Sequence, residues 1–147
     1  MFTILKKGSV PFELLRDRGS RIAVVGASNA PQKYGNIITL DLIGHGYTVL
    51  PVNPREATIA GLRAYRTLME VPKPIDIVNV VTPPEVTRRI LQDAKESGCE
   101  LVWLQDGSFD DAVLAEAEAA PFQTVYDACI MVAARTAAPR APKAGKS

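Results

Sequence analysis

The chain has 147 residues, 17 Lys plus Arg against 16 Asp plus Glu, 47% apolar residues, two cysteines and one histidine. That length suits one domain with a sizeable core. The near-neutral charge excludes a global field that would recruit nucleic acid or anionic lipid, and the Cys and His counts exclude a disulfide framework and a His-rich metal cluster.

In chain order, "PFELLRDRG", 11–19, reads as a short amphipathic helix opened by Pro11 and closed by Gly19. "RIAVVG", 21–26, is an apolar run ending in glycine and predicts a buried strand. Residues 35–46 carry Ile37, Ile38, Leu42 and Ile43 at helical spacing, with Gly46 as the stop. "YTVLPVN", 47–53, predicts a second strand, broken at Pro54, and "AYRTLMEVP", 64–72, a short helix ended at Pro72. "DIVNVVT", 76–82, is a third strand. Over 83–98 a helix is expected, with Thr82 and Glu85 as a capping box, Pro83 at the first helical position and Gly98 at the exit. A fourth strand follows at 100–105, a helix at 108–120 opened by a Ser108–Asp111 box, a fifth strand at 122–127 and a last helix at 128–135. Residues 1–136 read as one domain, and 137–147, rich in Pro, Ala and Lys, as a disordered basic tail.

Strands alternate with helices throughout. The pattern predicts an α/β, Rossmann-like, doubly wound sheet of about five mostly parallel strands with helices on both faces. Ligands of such sheets sit at the carboxyl ends of the strands, so the loops after Gly26, Asn53 and Thr82 should converge. No apolar run approaches the roughly 20 residues of a membrane span, and the first residues lack the order of a signal peptide. The chain reads as cytoplasmic.

The first loop, "GASNAPQKYGN", departs from the dinucleotide fingerprint: Ser28 and Pro31 stand where glycines belong. It suggests another kind of phosphate loop, with Gly26 for the turn, Ser28 as donor, Lys33 as a charge, and the amides of Tyr34, Gly35 and Asn36 at a helix N-terminus. At the end of the second strand, NAD sites carry an acid for the ribose hydroxyls. Here stand Asn53, Pro54 and Arg55, and the arginine suits a ribose phosphate. NADP and coenzyme A both carry one. In the third loop Thr82 is explained by capping, while Val81 and Pro83 offer a flat apolar surface.

Together the segments "IAVVGAS", "YGNIITLDLIGHGYTVLPVNP", "DIVNVVTPPE", "LVWLQDG" and "YDACI" resemble the small CoA-binding proteins of Rossmann-type fold, relatives of the CoA-binding domain of the succinyl-CoA synthetase α subunit. The resemblance runs over residues 22–130. It implies CoA held by Ala27 and Ser28, by Val52, Asn53 and Pro54, and by Val81, Thr82 and Pro83. Arg55 lies where that family often has a basic or polar residue. The family usually reads Asp-Arg-Cys near its end; this chain has Asp127-Ala128-Cys129.

Other polar residues have plainer readings. His45 is expected to pair with the last carbonyls of its helix, Trp103 to be core, Asp76 to be structural and Cys129 to be a small buried residue. Gln105, at a strand's carboxyl end, is a secondary ligand candidate. No nucleophile–base pair assembles from these positions, so the expected function is binding of CoA or an acyl-CoA without catalytic machinery. The rival readings are an NADP-binding module or small oxidoreductase, and a structural or regulatory protein that has lost its ligand.

Overall fold

A computed structural model of the chain describes residues 3–4, 11–137 and 139. The tail expected to be disordered lies almost wholly outside them. Eight strands and five helices are present among the described residues: β1 (Thr3–Ile4), α1 (Pro11–Arg16), β2 (Arg21–Val25), α2 (Tyr34–Gly44), β3 (Thr48–Val52), β4 (Thr58–Ile59), β5 (Leu62–Arg63), β6 (Ile77–Val80), α3 (Pro84–Ser97), β7 (Leu101–Leu104), α4 (Asp111–Ala119), β8 (Gln123–Tyr126) and α5 (Ile130–Thr136).

The main sheet has the order β1-β8-β7-β6-β2-β3. Its five predicted strands are parallel throughout, and β1 adds an antiparallel edge on β8, pairing Thr3 with Tyr126. Counting only the parallel strands, the order is 2-1-3-4-5, which reverses between β2 and β6. In sheets of this kind ligands sit at the carboxyl ends of the strands beside such a switch point.

Side chains alternate strictly across the sheet. Ala23, Val25, Val78, Val80, Val102 and Leu104 pack with Leu91 and Ala94 of α3 and Val113 and Ala117 of α4. Ile22, Val24, Ile77, Leu101, Trp103 and Val125 pack with Leu15 of α1, Ile38 and Leu42 of α2, and Ile130 and Ala134 of α5. Burial on both faces explains why these strands read as continuous apolar runs. Asp76 is structural, as expected: its carboxylate accepts from the Arg21 N–H at 2.7 Å and its carbonyl from Leu101 N–H at 3.3 Å, binding the starts of β2, β6 and β7 together.

The helix expected over 64–72 does not form. Tyr65 instead borders β3, its N–H donating to the Pro51 carbonyl (2.9 Å) and its carbonyl accepting from Asn53 N–H (2.8 Å). Only Leu68–Glu70 makes a 3-10 turn. The open edge of β3 satisfies this backbone better than a helix that Pro72 would end after two turns. Just before it, β4 and β5 form a small hairpin whose two central residues, Ala60 (φ 53°) and Gly61 (φ 79°), are both left-handed.

Two capping expectations also need correction. Helix α3 starts one residue later than expected, with Pro83 as N-cap and Pro84 at the first position, so Thr82 cannot reach the helix amides. Its hydroxyl bonds the Thr87 hydroxyl (2.9 Å) instead. The cap of α4 is Asp110, which accepts from Val113 N–H at 2.9 Å, while Ser108 is buried and donates to the Gln105 carbonyl at 2.6 Å.

Candidate functional site

The loops that follow β2, β3 and β6 meet at the switch point. Gly26 ends β2 with φ 99°, and its N–H donates to the Val52 carbonyl at 3.1 Å. A Cβ on Gly26 would lie 2.7 Å from Val81 Cγ2. Gly35, in the first turn of α2, approaches closer still: a Cβ there would lie 2.0 Å from the Gly26 carbonyl oxygen. Gly35 is therefore demanded by backbone packed on backbone, and Gly26 by its left-handed φ together with the Val81 side chain. The Val81 N–H closes the third side on the Val25 carbonyl at 2.9 Å.

Three asparagines stitch the loops. Asn36 is buried and donates from Nδ2 to the Ser28 carbonyl at 2.9 Å. Asn53 donates from Nδ2 to the Ala27 carbonyl at 2.8 Å, and its Oδ1 accepts from Arg55 N–H at 2.7 Å. Asn29 ties the β4–β5 hairpin down, donating to the Thr58 carbonyl at 2.8 Å and accepting from Ala60 N–H at 3.2 Å. Asn29 and the hairpin were not among the residues singled out in the sequence. The turn signal, Ala60-Gly61, is weak because alanine rarely takes a left-handed conformation.

The Ser28 hydroxyl accepts from Ala30 N–H at 3.0 Å, which shapes the loop and leaves its proton to donate elsewhere. Lys33 is the exposed N-cap of α2; no side chain caps this helix, and its first turn carries no acid. An uncapped helix start without a carboxylate favours an anion. The Asn36 amide departs from the expected role, since it turns back on the Lys33 carbonyl at 3.0 Å. Pro54, Arg55 and Pro83 are exposed at the rim, and Val81 and Thr82 are half-buried between them. Beyond Arg55 the rim holds Arg63, stacked 5.1 Å from the Tyr65 ring centre.

The end of the sheet beyond β8 differs from expectation. Cys129 is half-buried rather than buried, and its sulfur lies 2.9 Å from the Tyr34 hydroxyl. Burial, and then this bond, push the Tyr34 phenol up to about 12, so it stays protonated at neutral pH. Gln105 is not available to a ligand: it is buried and its Oε1 accepts from Ile130 N–H at 3.0 Å, capping α5. The Ala128 carbonyl accepts from Trp103 Nε1 at 2.9 Å, a contact that any residue at 128 could make. Trp103 is fully buried, as expected. His45 also behaves as expected, its Nδ1 lying 2.8 Å from the Asp41 carbonyl at the far end of α2. Among the described residues no cluster of three or more His, Cys, Asp or Glu could hold a metal, and no helix is long and apolar enough to cross a membrane.

The parallel sheet with its 2-1-3-4-5 order and a glycine-lined loop cluster at the switch point define an α/β protein of Rossmann-like fold. The chain belongs to the CoA binding domain family, whose profile matches residues 20–135. It is 31% identical over 116 residues to YneT, an uncharacterised protein of Bacillus subtilis, covering 79% of this chain and 86% of that one. It is 34% identical over 91 residues to the α subunit of ADP-forming acetate–CoA ligase II of Pyrococcus furiosus, covering 61% of this chain but only 20% of that subunit. A conserved hypothetical protein of Pyrococcus furiosus has the same fold, with a TM-score of 0.70 and 40% identity over 77% of this chain and 97% of its own. The resemblance drawn from the quoted segments holds at the level of the family.

Proposed function

We propose that the chain binds coenzyme A or an acyl-CoA at the carboxyl ends of β2 and β6, and that it does so without catalytic machinery of its own. The observation that carries this reading is the closure of Gly35 on Gly26. It brings the uncapped start of α2 against a bare turn, where backbone amides and the Ser28 hydroxyl can meet a pyrophosphate. Arg55 stands at the end of β3, where the acid of an NAD site would be, and its guanidinium suits the ribose 3′-phosphate of CoA. Membership of the CoA binding domain family and likeness to an acetate–CoA ligase subunit support the same ligand.

The placement of the reactive groups supports a binding role rather than a chemical one. Tyr34 beside the Cys129 thiol is protonated and cannot serve as its base. His45 is spent at the opposite end of α2. A carrier, a sensor or a module serving a partner fits this inventory.

Calorimetry with CoA, acetyl-CoA, dephospho-CoA, NADP and NAD tests the reading. CoA and acetyl-CoA should bind, and NAD should bind far more weakly. NADP binding tighter than CoA would favour the dinucleotide reading, and binding of none would favour a protein that has lost its ligand. Acyl-CoA hydrolysis should stay at background at full occupancy. Hydrolysis that Cys129→Ser abolishes, with binding kept, would place an active site after β8.

A further inference from the structure

Five large apolar side chains are exposed among the described residues, and four of them stand on the neighbouring helices α2 and α5. Tyr34, Ile37 and Leu40 are 41%, 42% and 52% exposed and follow one another at three-residue spacing along α2. Val132, 49% exposed, stands on α5, which packs beside α2 and touches it through Cys129 and Tyr34. Helix α2 carries one charged residue, Asp41, half-buried, whose Oδ2 is buried 3.4 Å from His45 Nδ1. A solvated helix face ordinarily carries several charges.

We propose that the α2–α5 face is where two copies of this chain meet, with α2 packed antiparallel on α2 of the second copy about a two-fold axis at Ile37. The sequence of α2 is self-complementary about that residue. A two-fold there sets Tyr34 level with Leu40 of the second copy, three residues either side of the axis. It also sets Lys33 level with Asp41 of the second copy, four residues either side and opposite in charge. A closed two-fold contact repeats each pairing twice, whereas a parallel packing would set Lys33 beside Lys33. The four side chains leave roughly 300 Å² of apolar surface per copy, which with a polar surround approaches the roughly 600–800 Å² that a modest dimer needs. A dissociation constant of roughly micromolar order is expected at that size. The inference does not rest on CoA binding, although Lys33 at the start of α2 is shared with the proposed anion site.

Sedimentation of the full chain from roughly 5 to 200 µM tests it, the range being set by that expected affinity. The wild type should pass from monomer to dimer, and Ile37→Glu, at an exposed site, should remain monomeric with unchanged melting. Lys33→Glu and Asp41→Lys should each weaken the dimer about fivefold to tenfold, because two symmetry-related surface pairs are lost. The double variant Lys33→Glu/Asp41→Lys should recover wild-type association. A wild type that stays monomeric throughout, or a dimer that survives Ile37→Glu, overturns the interface. A double variant no better than its singles overturns the antiparallel register, whichever single variant folds less well.

Discussion

Gly35→Ala is the sharpest test of the site's architecture. The added Cβ would lie 2.0 Å from the Gly26 carbonyl oxygen, 2.9 Å from its carbon and 3.2 Å from Ala27 Cα. All three are backbone atoms, so no side chain can swing away. Restoring ordinary contact requires the start of α2 to retreat by at least about 1 Å, and overpacking of this kind costs about 1–3 kcal/mol. The retreat also stretches the 2.9 Å bond from Asn36 to Ser28, adding about 1 kcal/mol. Against this stands the gain of about 1 kcal/mol from replacing glycine by alanine in a helix. The net loss is about 1–3 kcal/mol, or about 3–10 °C in melting temperature for a chain of this size. Gly44→Ala, at the other end of the same helix, meets nothing within 4 Å and should gain up to about 1 kcal/mol. Thermal melts followed by circular dichroism, paired with CoA calorimetry, read both. CoA affinity should fall at least tenfold for Gly35→Ala, since a 1 Å shift opens the anion site. Equal melting temperatures for the two variants, or unimpaired CoA binding by Gly35→Ala, would refute the close approach as the basis of the site.

Asn53→Ala removes two bonds, to the Ala27 carbonyl and from Arg55 N–H, and should cost about 1–2 kcal/mol in denaturant melts while weakening CoA as well. Arg55 is exposed, so CoA should exceed dephospho-CoA in affinity by only about threefold to tenfold, and Arg55→Ala should erase the difference in calorimetry. Ser28→Ala should weaken CoA about tenfold, and because the Ser28 hydroxyl also holds Ala30 N–H it should lower the melting temperature of the free protein slightly. Burial pushes the Cys99 thiol from 9.0 up to about 11, so a thiol reagent at pH 8 should modify Cys129 in the folded chain and Cys99 only after unfolding. The same shift makes the protonated thiol the folded form: its contribution to stability is full below about pH 9 and declines as pH rises toward 11, a slope that Cys99→Ala should remove from the pH dependence of melting.

The apolar runs, the glycine and proline punctuation and the alternation of periods determined, by themselves, that this chain makes a parallel sheet of five strands covered on both faces. Those signals are local: a strand buried on both sides is largely apolar, and Gly26 must end β2 because no side chain tolerates that turn. The convergence of the three loops followed from the fold class, and the residues Gly26, Gly35, Asn53 and Val81 do meet there. Tertiary structure alone decided the strand order and with it the β2–β6 switch point, because order depends on which faces the helices cover and not on any strand's own sequence. It decided that 64–72 borders β3, since an open sheet edge offers hydrogen bonds that a helical period cannot announce. It decided that Thr82 meets Thr87, that Gln105 caps α5, and that Asn29 holds the hairpin. The partners of Gln105 and Asn29 lie about 25–30 residues away along the chain, and the Thr82 contact depends on the one residue by which α3 starts late. A polar side chain declares that it needs a hydrogen bond; only the folded chain supplies the atom that satisfies it.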